Sequence, residues 1–300
     1  MEQQDIMYFA AGGAVRDLLL GRAYRDVDFT FAGSEKDFIQ RNPPARKPET
    51  GTSAIYFLHG QEYGLLQKSG MDLRKAIESD LLRRDFTINS LLLSPSGILH
   101  AHPQALCDLR KKWIRPASAS SLADDPVRVL RAARFCAALP DFRLHDESLE
   151  QMRALGLGGG LSGIAAEQAG KECLKACSSP RPGNFLRALA QADCLDPWFA
   201  EFARGGNFPA GPPQFHRDSV LEHTAEVMDG TAAFMEKLPV RKDPSQTPPG
   251  QGRDADFTPG PPVRNRSLTS LAVWMAFCHD VGKTATPDDV LPRHLGHETR

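Results

Sequence analysis

Hydrophobic positions recur with a strand-like spacing in the first third of the chain and with a helical one beyond it. The stretch Tyr8–Phe31, YFAAGGAVRDLLLGRAYRDVDFTF, sets the pattern. An apolar run leads into Gly12–Gly13, an amphipathic segment starts near Ala14, and a second apolar run carries Asp26 and Asp28. This order predicts strand, glycine turn, helix, loop and strand. Residues 34–40 read as a short helix, and the polar, proline-rich stretch 42–52 as a loop. Apolar runs at 53–59 and 62–67 flank Gly60–Gln61 and predict a hairpin. In residues 71–93, Leu73, Ile77 and Leu81 share one helical face, and Ile88, Leu91 and Leu92 another. The sum is an α+β head with four or five strands.

From Leu122 the period is helical throughout. Helices are expected within Ser121–Leu139, starting at Asp124 or Asp125, over 147–155, 164–177 and 183–195, then Phe215–Phe234 and Leu271–Lys283. Gly205–Pro213 reads as a linker. Residues 240–263, rich in Pro, Gly and Asp and without periodicity, read as a disordered insertion.

Composition narrows the class. At 300 residues, 41% hydrophobic and 24% charged, the chain suits two or three globular units. A formal net charge of −1 excludes overall basicity, so any nucleic-acid contact must come from local patches. There is no run of eighteen apolar residues, and MEQQDIMYF lacks a leader pattern, so no membrane partner and a cytoplasmic location are expected. The six cysteines form no C-x-x-C pair, and Cys173 and Cys177, on one helix face, read as small buried residues.

Four groups of residues carry candidate chemistry. Gly12 and Gly13 allow close backbone approach to a bound group, and the helix after them aims free N–H groups at that place. Arg16, in the first helical turn, adds a cationic fork. Asp26 and Asp28 are two apart in a strand-like run, so both carboxylates face one way and call for a cation. Mg²⁺ held between carboxylates and substrate phosphates is the usual solution, and it points to two-metal nucleotidyl transfer. Taken singly, a GG turn or a DxD triplet is an ordinary surface loop; it is their order that favours chemistry. Arg83, Arg84, Asp85 and Asn89 form a second group, fit either to hold ribose and phosphate or to pair among themselves at a helix end.

In the third group, Asp125, Arg128 and Arg131 recur every three residues on one helical face. Cytosine and adenine each present an amino donor beside an unprotonated ring nitrogen. Asp125 can accept from the first while Arg128 donates to the second. Uracil and guanine offer the opposite polarity, and mispaired buried polar groups discriminate strongly. The plain alternative is an i,i+3 salt bridge. In the fourth group, adjacent His279 and Asp280 end an apolar helix and, with His223 on an earlier one, suit a divalent metal.

GGAVRD with DVD, then RRDFTIN, then DDPVRVLRAARF together resemble the class II CCA-adding tRNA nucleotidyltransferases and bacterial poly(A) polymerases. HDVGK, TPDDV and PRHLGHE resemble the HD phosphohydrolase segment attached to some bacterial CCA-adding enzymes. The resemblance implies a polymerase-β-like nucleotidyltransferase head over 1–115, an all-helical neck over 116–204 and a partial helical HD domain over 214–300. It implies tRNA, ATP and CTP as partners. Gly13 and Arg16 would contact the triphosphate, Asp26 and Asp28 would hold Mg²⁺, and Arg84, Asp85 and Asn89 would position sugar and phosphates. Asp125 and Arg128 would read the base with Arg131 assisting, and His223, His279 and Asp280 would hold a second divalent metal. The chain departs from the family at Asp124, where Glu is usual, at Glu167–Gln168, where Glu–Arg is usual, and at Gln67–Lys68, where an arginine is expected. The expected activity is template-independent addition of C, C and A to tRNA. The alternatives are partial addition or poly(A) synthesis, an HD-type phosphohydrolase whose head holds RNA, and a non-catalytic RNA-binding module.

Overall fold

The glycine turn is the geometric centre of the first unit. In the computed structural model, which describes residues 6–24, 26–47, 54–66, 72–238 and 266–294, β1 (Met7–Ala11) runs into Gly12 and α1 (Gly13–Leu19) leaves it. Gly12 has φ +66°, where a side chain would be strained, and a Cβ there would stand 3.3 Å from Arg84 Nη1. The chain returns in β2 (Asp28–Ala32), antiparallel to β1 with Ala11 opposite Asp28. The segment 240–263 and Gln67–Lys68 lie outside the described residues.

Next come α2 (Glu35–Arg41), capped by Ser34, and the hairpin β3 (Ile55–Leu58) and β4 (Gln61–Leu65). Then follow α3 (Leu73–Arg83), β5 (Leu91–Leu93), β6 (Leu99–Ala101) and α4 (Ala105–Lys111). The sheet has six strands in the order β3-β4-β2-β1-β5-β6, with β2 and β4 parallel and the other neighbours antiparallel. Period-2 alternation sends Phe9, Ala11, Ala32 and Leu92 to a core shared with Ala76, Ile77 and Leu81 of α3. Phe31 goes to a second core with Phe38 of α2 and Tyr56, its ring stacked on Phe38 at 4.0 Å. Burial of each such large side chain stabilises by about 1.5–3 kcal/mol.

Two expectations are corrected here. The sheet has six strands, not four or five, and the helical period read through Leu92 stops at Arg83. Asp85 and Asn89 satisfy local backbone and each other, which shapes a 3₁₀ turn at Thr87–Asn89. Leu91 and Leu92 are then fully buried in a strand, and such a short apolar run has no period that separates strand from helix.

β7 (Trp113–Ile114) pairs in parallel with β8 (Arg143–Leu144). Between them lie α5 (Ser121–Asp124) and α6 (Val127–Ala138); α7 (Asp146–Leu157) follows β8. The chain divides into two compact units, residues 1–132 with 141–163, and 133–140 with 164–300. The second unit is helical. It holds α8 (Ala166–Cys177), α9 (Gly183–Gln191), α10 (Ala200–Gly205), α11 (Val220–Lys237) and α12 (Arg266–Cys278). Arg187 of α9 bridges Glu222 and Asp229 of α11, and Arg134 meets the buried Glu172 of α8. Burial pushes the Glu172 carboxyl up, but Arg134 and Lys175 more than reverse this and hold it below its ordinary value. Cys136, Cys173, Cys177 and Cys194 are buried free thiols; burial pushes Cys136 up to about 12.

Two helix limits also differ from expectation. α11 starts at Val220, so His216 precedes it, and α12 ends at Cys278, with a 3₁₀ turn over Val281–Ala285.

Candidate active site

In the first unit a chain of polar contacts ties the candidate residues together. Gly13 opens α1, and the Arg16 guanidinium packs over it, 3.5 Å from where a Cβ would stand. Arg16 is buried; its Nη1 donates to Asn89 Oδ1 at 2.7 Å, and Nε and Nη2 donate to Asp17 at 2.9 and 3.0 Å. Asn89 in turn donates to Asp85 Oδ1 at 3.1 Å. The other Asp85 oxygen lies 2.7 Å from Arg131 Nη2. Arg16, Asn89, Asp85 and Arg131 thus form one continuous line, brought together from α1, the 3₁₀ turn and α6.

Arg84 reaches the same place from the end of α3. It pairs with Asp80 at 2.8 Å and donates to Thr30 Oγ1 of β2 at 3.3 Å. Thr30 carries it to within two residues of Asp28.

Asp28 begins β2, and Asp26 lies in the loop before it, so only one of the two carboxylates stands on the strand proper. Both are exposed, and neither makes an ion pair among the described residues. Partial burial raises the pKa of Asp28; Arg84 opposes this, Asp26 adds to it, and Arg131 pulls it back. Glu62, on β4, is a third acid that the sequence reading missed. β4 runs parallel to β2 with Tyr63 beside Phe29, so Glu62 falls next to Asp28. Burial raises its pKa first and Asp28 second. Its only trace in the sequence is a charged position in a short strand; the β2–β4 pairing is non-local and brings it to Asp28. Crowded carboxylates of this kind fit a hard divalent cation by the chemistry of the donor set.

Asp125 and Arg128 also come together, but the pair is more than an i,i+3 bridge. Asp125 Oδ1 accepts from Val127 N at 3.3 Å, and so caps the start of α6. Arg128 Nη1 donates to Ser121 O at 3.0 Å and Ser121 Oγ at 2.9 Å, and Nη2 donates to Arg83 O at 2.9 Å. Arg128 Nε stands 3.8 Å from Asp125 Oδ2. Ser121, whose hydroxyl also donates to Asp85 O at 2.8 Å, is a second residue the sequence reading missed. It locks the segment leading into α6 to the RRDF turn.

The second unit has its own cluster. Ligand atoms of His223, His279 and Asp280 lie within 4.8 Å of one another. Asp280 Oδ2 is 3.3 Å from His223 Nε2, 3.0 Å from His279 Nε2 and 2.7 Å from Lys283 Nζ. Burial pushes the Asp280 carboxyl up, but hydrogen bonds from His279 and Lys283 hold it well below the usual range. Burial lowers His223, and the bond to Asp280 raises His279. His279 Nδ1 meets Ala276 O at 2.6 Å, which orients the ring with Nε2 toward the cluster. Two imidazoles and a carboxylate suit a divalent transition metal.

No helix among the described residues is long and apolar enough to cross a membrane. Residues 8–115 match the Poly A polymerase head domain family. The multifunctional CCA protein of Aromatoleum aromaticum is 31% identical over 309 residues, covering 97% of this chain and 67% of the relative. That of Pasteurella multocida is 30% identical over 308 residues, and the chain spans 66% of its length. Among solved structures, a CCA-adding enzyme in complex with CTP superposes with a TM-score of 0.59 at 25% identity, over 78% of this chain and 55% of that one. A Thermotoga maritima CCA-adding enzyme complexed with tRNA CCA gives 0.57 at 26% identity, over 77% and 54%. The glycine turn, the carboxylates of β2 and the Asp–Arg pair of α6 therefore sit in a chain that belongs to the CCA-adding family of the multifunctional CCA proteins.

Proposed function

We propose that this chain adds C, C and A, from CTP and ATP, to the 3′ end of tRNA without a template. One observation carries the reading. Asp26, Asp28 and Glu62 gather beside Arg84 and Arg131, in the same unit as a rigidly anchored Asp125–Arg128 pair.

Asp26 and Asp28, with Glu62 adjoining, would meet the family's need for a divalent metal, and their hard oxygen donors suit Mg²⁺. Bound there, Mg²⁺ would lower the pKa of the RNA 3′-hydroxyl and neutralise charge on the triphosphate. The 3′ oxygen attacks the α-phosphorus, its proton passes to solvent, and pyrophosphate leaves. Arg16 and Arg84 bind the triphosphate, over a turn that Gly12 and Gly13 keep free of side chains. Asp85 and Asn89, held by Arg131 and Arg16, orient the sugar. Asp125 accepts from the amino group of C or A, and Arg128 presents a donor to the ring nitrogen. The carbonyls that hold Arg128 prevent it from turning to suit U or G. This site works in the cytoplasm, where tRNA matures.

A second activity is supported by a separate observation, the His223–His279–Asp280 cluster. We assign it a divalent metal and hydrolysis of a phosphate ester, with Lys283 beside the carboxylate to meet a phosphate oxygen.

The test supplies tRNA ending before CCA with CTP, ATP or both. Ordered addition of two C and one A is expected; ATP-only tailing of any RNA would replace the reading with poly(A) synthesis.

A further inference from the structure

The surface of the first unit carries a cationic cluster that the nucleotide site does not use. The last turn of α4 and the strand after it read Arg110, Lys111, Lys112, Trp113, Ile114, Arg115. Arg143 joins them across the β7–β8 pair, directly opposite Trp113. Arg110, Lys111 and Arg143 are exposed and Lys112 half-buried. Arg115 is neutralised by the buried Asp108 and by Glu147. Arg110, Lys111, Lys112 and Arg143 make no ion pair among the described residues, although Asp141 and Asp146 are close in sequence.

These cations are held in place. Lys111 Nζ lies 4.6 Å from the centre of the Trp113 ring, and Lys112 Nζ lies 5.1 Å from that of Phe142. Lys112 caps α4 with φ +60° and ψ +42°, a left-handed conformation in which glycine is the usual residue. A lysine held there keeps a charge at a position that glycine would fill more easily. The cluster is also joined to the nucleotide site. Thr87 Oγ1 donates to Asp108 of α4 at 2.7 Å, and Thr87 N donates to Arg115 O at 2.9 Å, in the turn that ends at Asn89.

We propose that Arg110, Lys111, Lys112 and Arg143 form an RNA-backbone grip, contacting phosphates upstream of the 3′ end that is extended at Asp26 and Asp28. The proposal rests on the reading of the chain as a tRNA-extending enzyme. Four clustered cations with no ion pair among the described residues, two of them held over aromatic rings, in a chain whose net charge is −1, call for a polyanion, and RNA is the polyanion of this reaction.

The experiment compares the full chain with the Lys111→Gln/Lys112→Gln/Arg143→Gln variant. It measures binding of tRNA lacking CCA over a KCl series, and KM for CTP at saturating RNA. Loss of three phosphate contacts should weaken RNA binding on the order of 10- to 100-fold near 0.1 M salt and flatten the log–log salt slope by about 2–3, with KM for CTP within about twofold. The Lys111→Arg/Lys112→Arg/Arg143→Lys variant should keep the parent slope. If the glutamine variant melts early, Arg110→Gln/Lys111→Gln, on exposed positions only, replaces it, with a slope change of about 1–2. Unchanged affinity and slope overturn the grip, as does polyglutamate competing as well as RNA of equal charge, which would make the surface a site for an acidic protein. Should the parent chain add no nucleotide to any RNA while the variant still loses salt-dependent binding, the grip stands and the assigned activity fails.

Discussion

Two acids of the first unit and two of the second are placed in opposite circumstances. In the first unit Asp28 and Glu62 crowd each other, and both are raised in pKa, by burial first. Arg84 and Arg131 stand near enough to moderate this, yet each is committed elsewhere, to Asp80 and Asp85. In the second unit Glu172 and Asp280 are held low by partners of their own: Arg134 and Lys175 for the first, His279 and Lys283 for the second. Glu172, paired within the chain, contributes to folding, and Asp280 shares its charge with the imidazoles of its own cluster. Asp28 and Glu62, left among other acids, gain a partner from outside the chain, which suits a site for a hard cation.

The sharpest way to break this contrast is Asp28→Asn. It should lower nucleotide addition on the order of 10³-fold, about 4 kcal/mol in the barrier, with no loss of Tm because no ion pair is broken. Activity within tenfold of the parent would show that the metal assignment is wrong. Glu172→Gln should do the reverse, leaving the rate of chemistry alone and costing about 3 kcal/mol in urea denaturation, since it removes the buried carboxylate that Arg134 and Lys175 face. The sign of its pH dependence follows from the lowered pKa. The stabilisation is complete above the ordinary carboxyl value of 4.5 and disappears as pH falls through the folded value. The parent and Glu172→Gln should therefore differ in stability at pH 7 and converge in strong acid.

Arg128→Ala removes one half of the pair proposed to read the base. It should raise kcat/KM for UTP relative to CTP by about 10- to 100-fold, and unchanged discrimination would retire the role given to Asp125 and Arg128. The smallest effect is expected at Asp280→Asn, made on the Asp28→Asn background so that calorimetry reads one site. Affinity for Co²⁺ should fall at least about 10-fold. On the otherwise unchanged chain, Asp280→Asn should leave nucleotide addition within about twofold, because the cluster lies in a different unit from the carboxylates of β2.

Much of the candidate site was legible because its parts are local. The turn after β1 needs a glycine with positive φ, and GGAVRD displays it. The i,i+3 spacing of Asp125 and Arg128 places them together on any helix. Leu91 and Leu92 were harder. A run of three apolar residues carries no period, so the strand they form is decided by the place open beside β1. Glu62 was out of reach for a related reason: two residues 34 positions apart become neighbours only when β4 pairs in parallel with β2.

The sequence by itself determined the motif set, the change near Leu122 to a chain that is helical apart from the short strand β8, where an all-helical stretch was expected, and the acids and arginines of the candidate site other than Glu62. These depend on residue type and short spacing, which survive without tertiary context. The tertiary structure alone decided which of those charges are spent on one another. It commits Arg16 to Asn89, Arg131 to Asp85, and Arg128 to the carbonyls of Arg83 and Ser121. It sets Glu62 beside Asp28 and gives four cations along the end of α4 and β8 no ion pair among the described residues. The physical reason is range: propensity and period act over a few residues, whereas charge pairing is settled by whichever group the folded chain brings within a few ångströms.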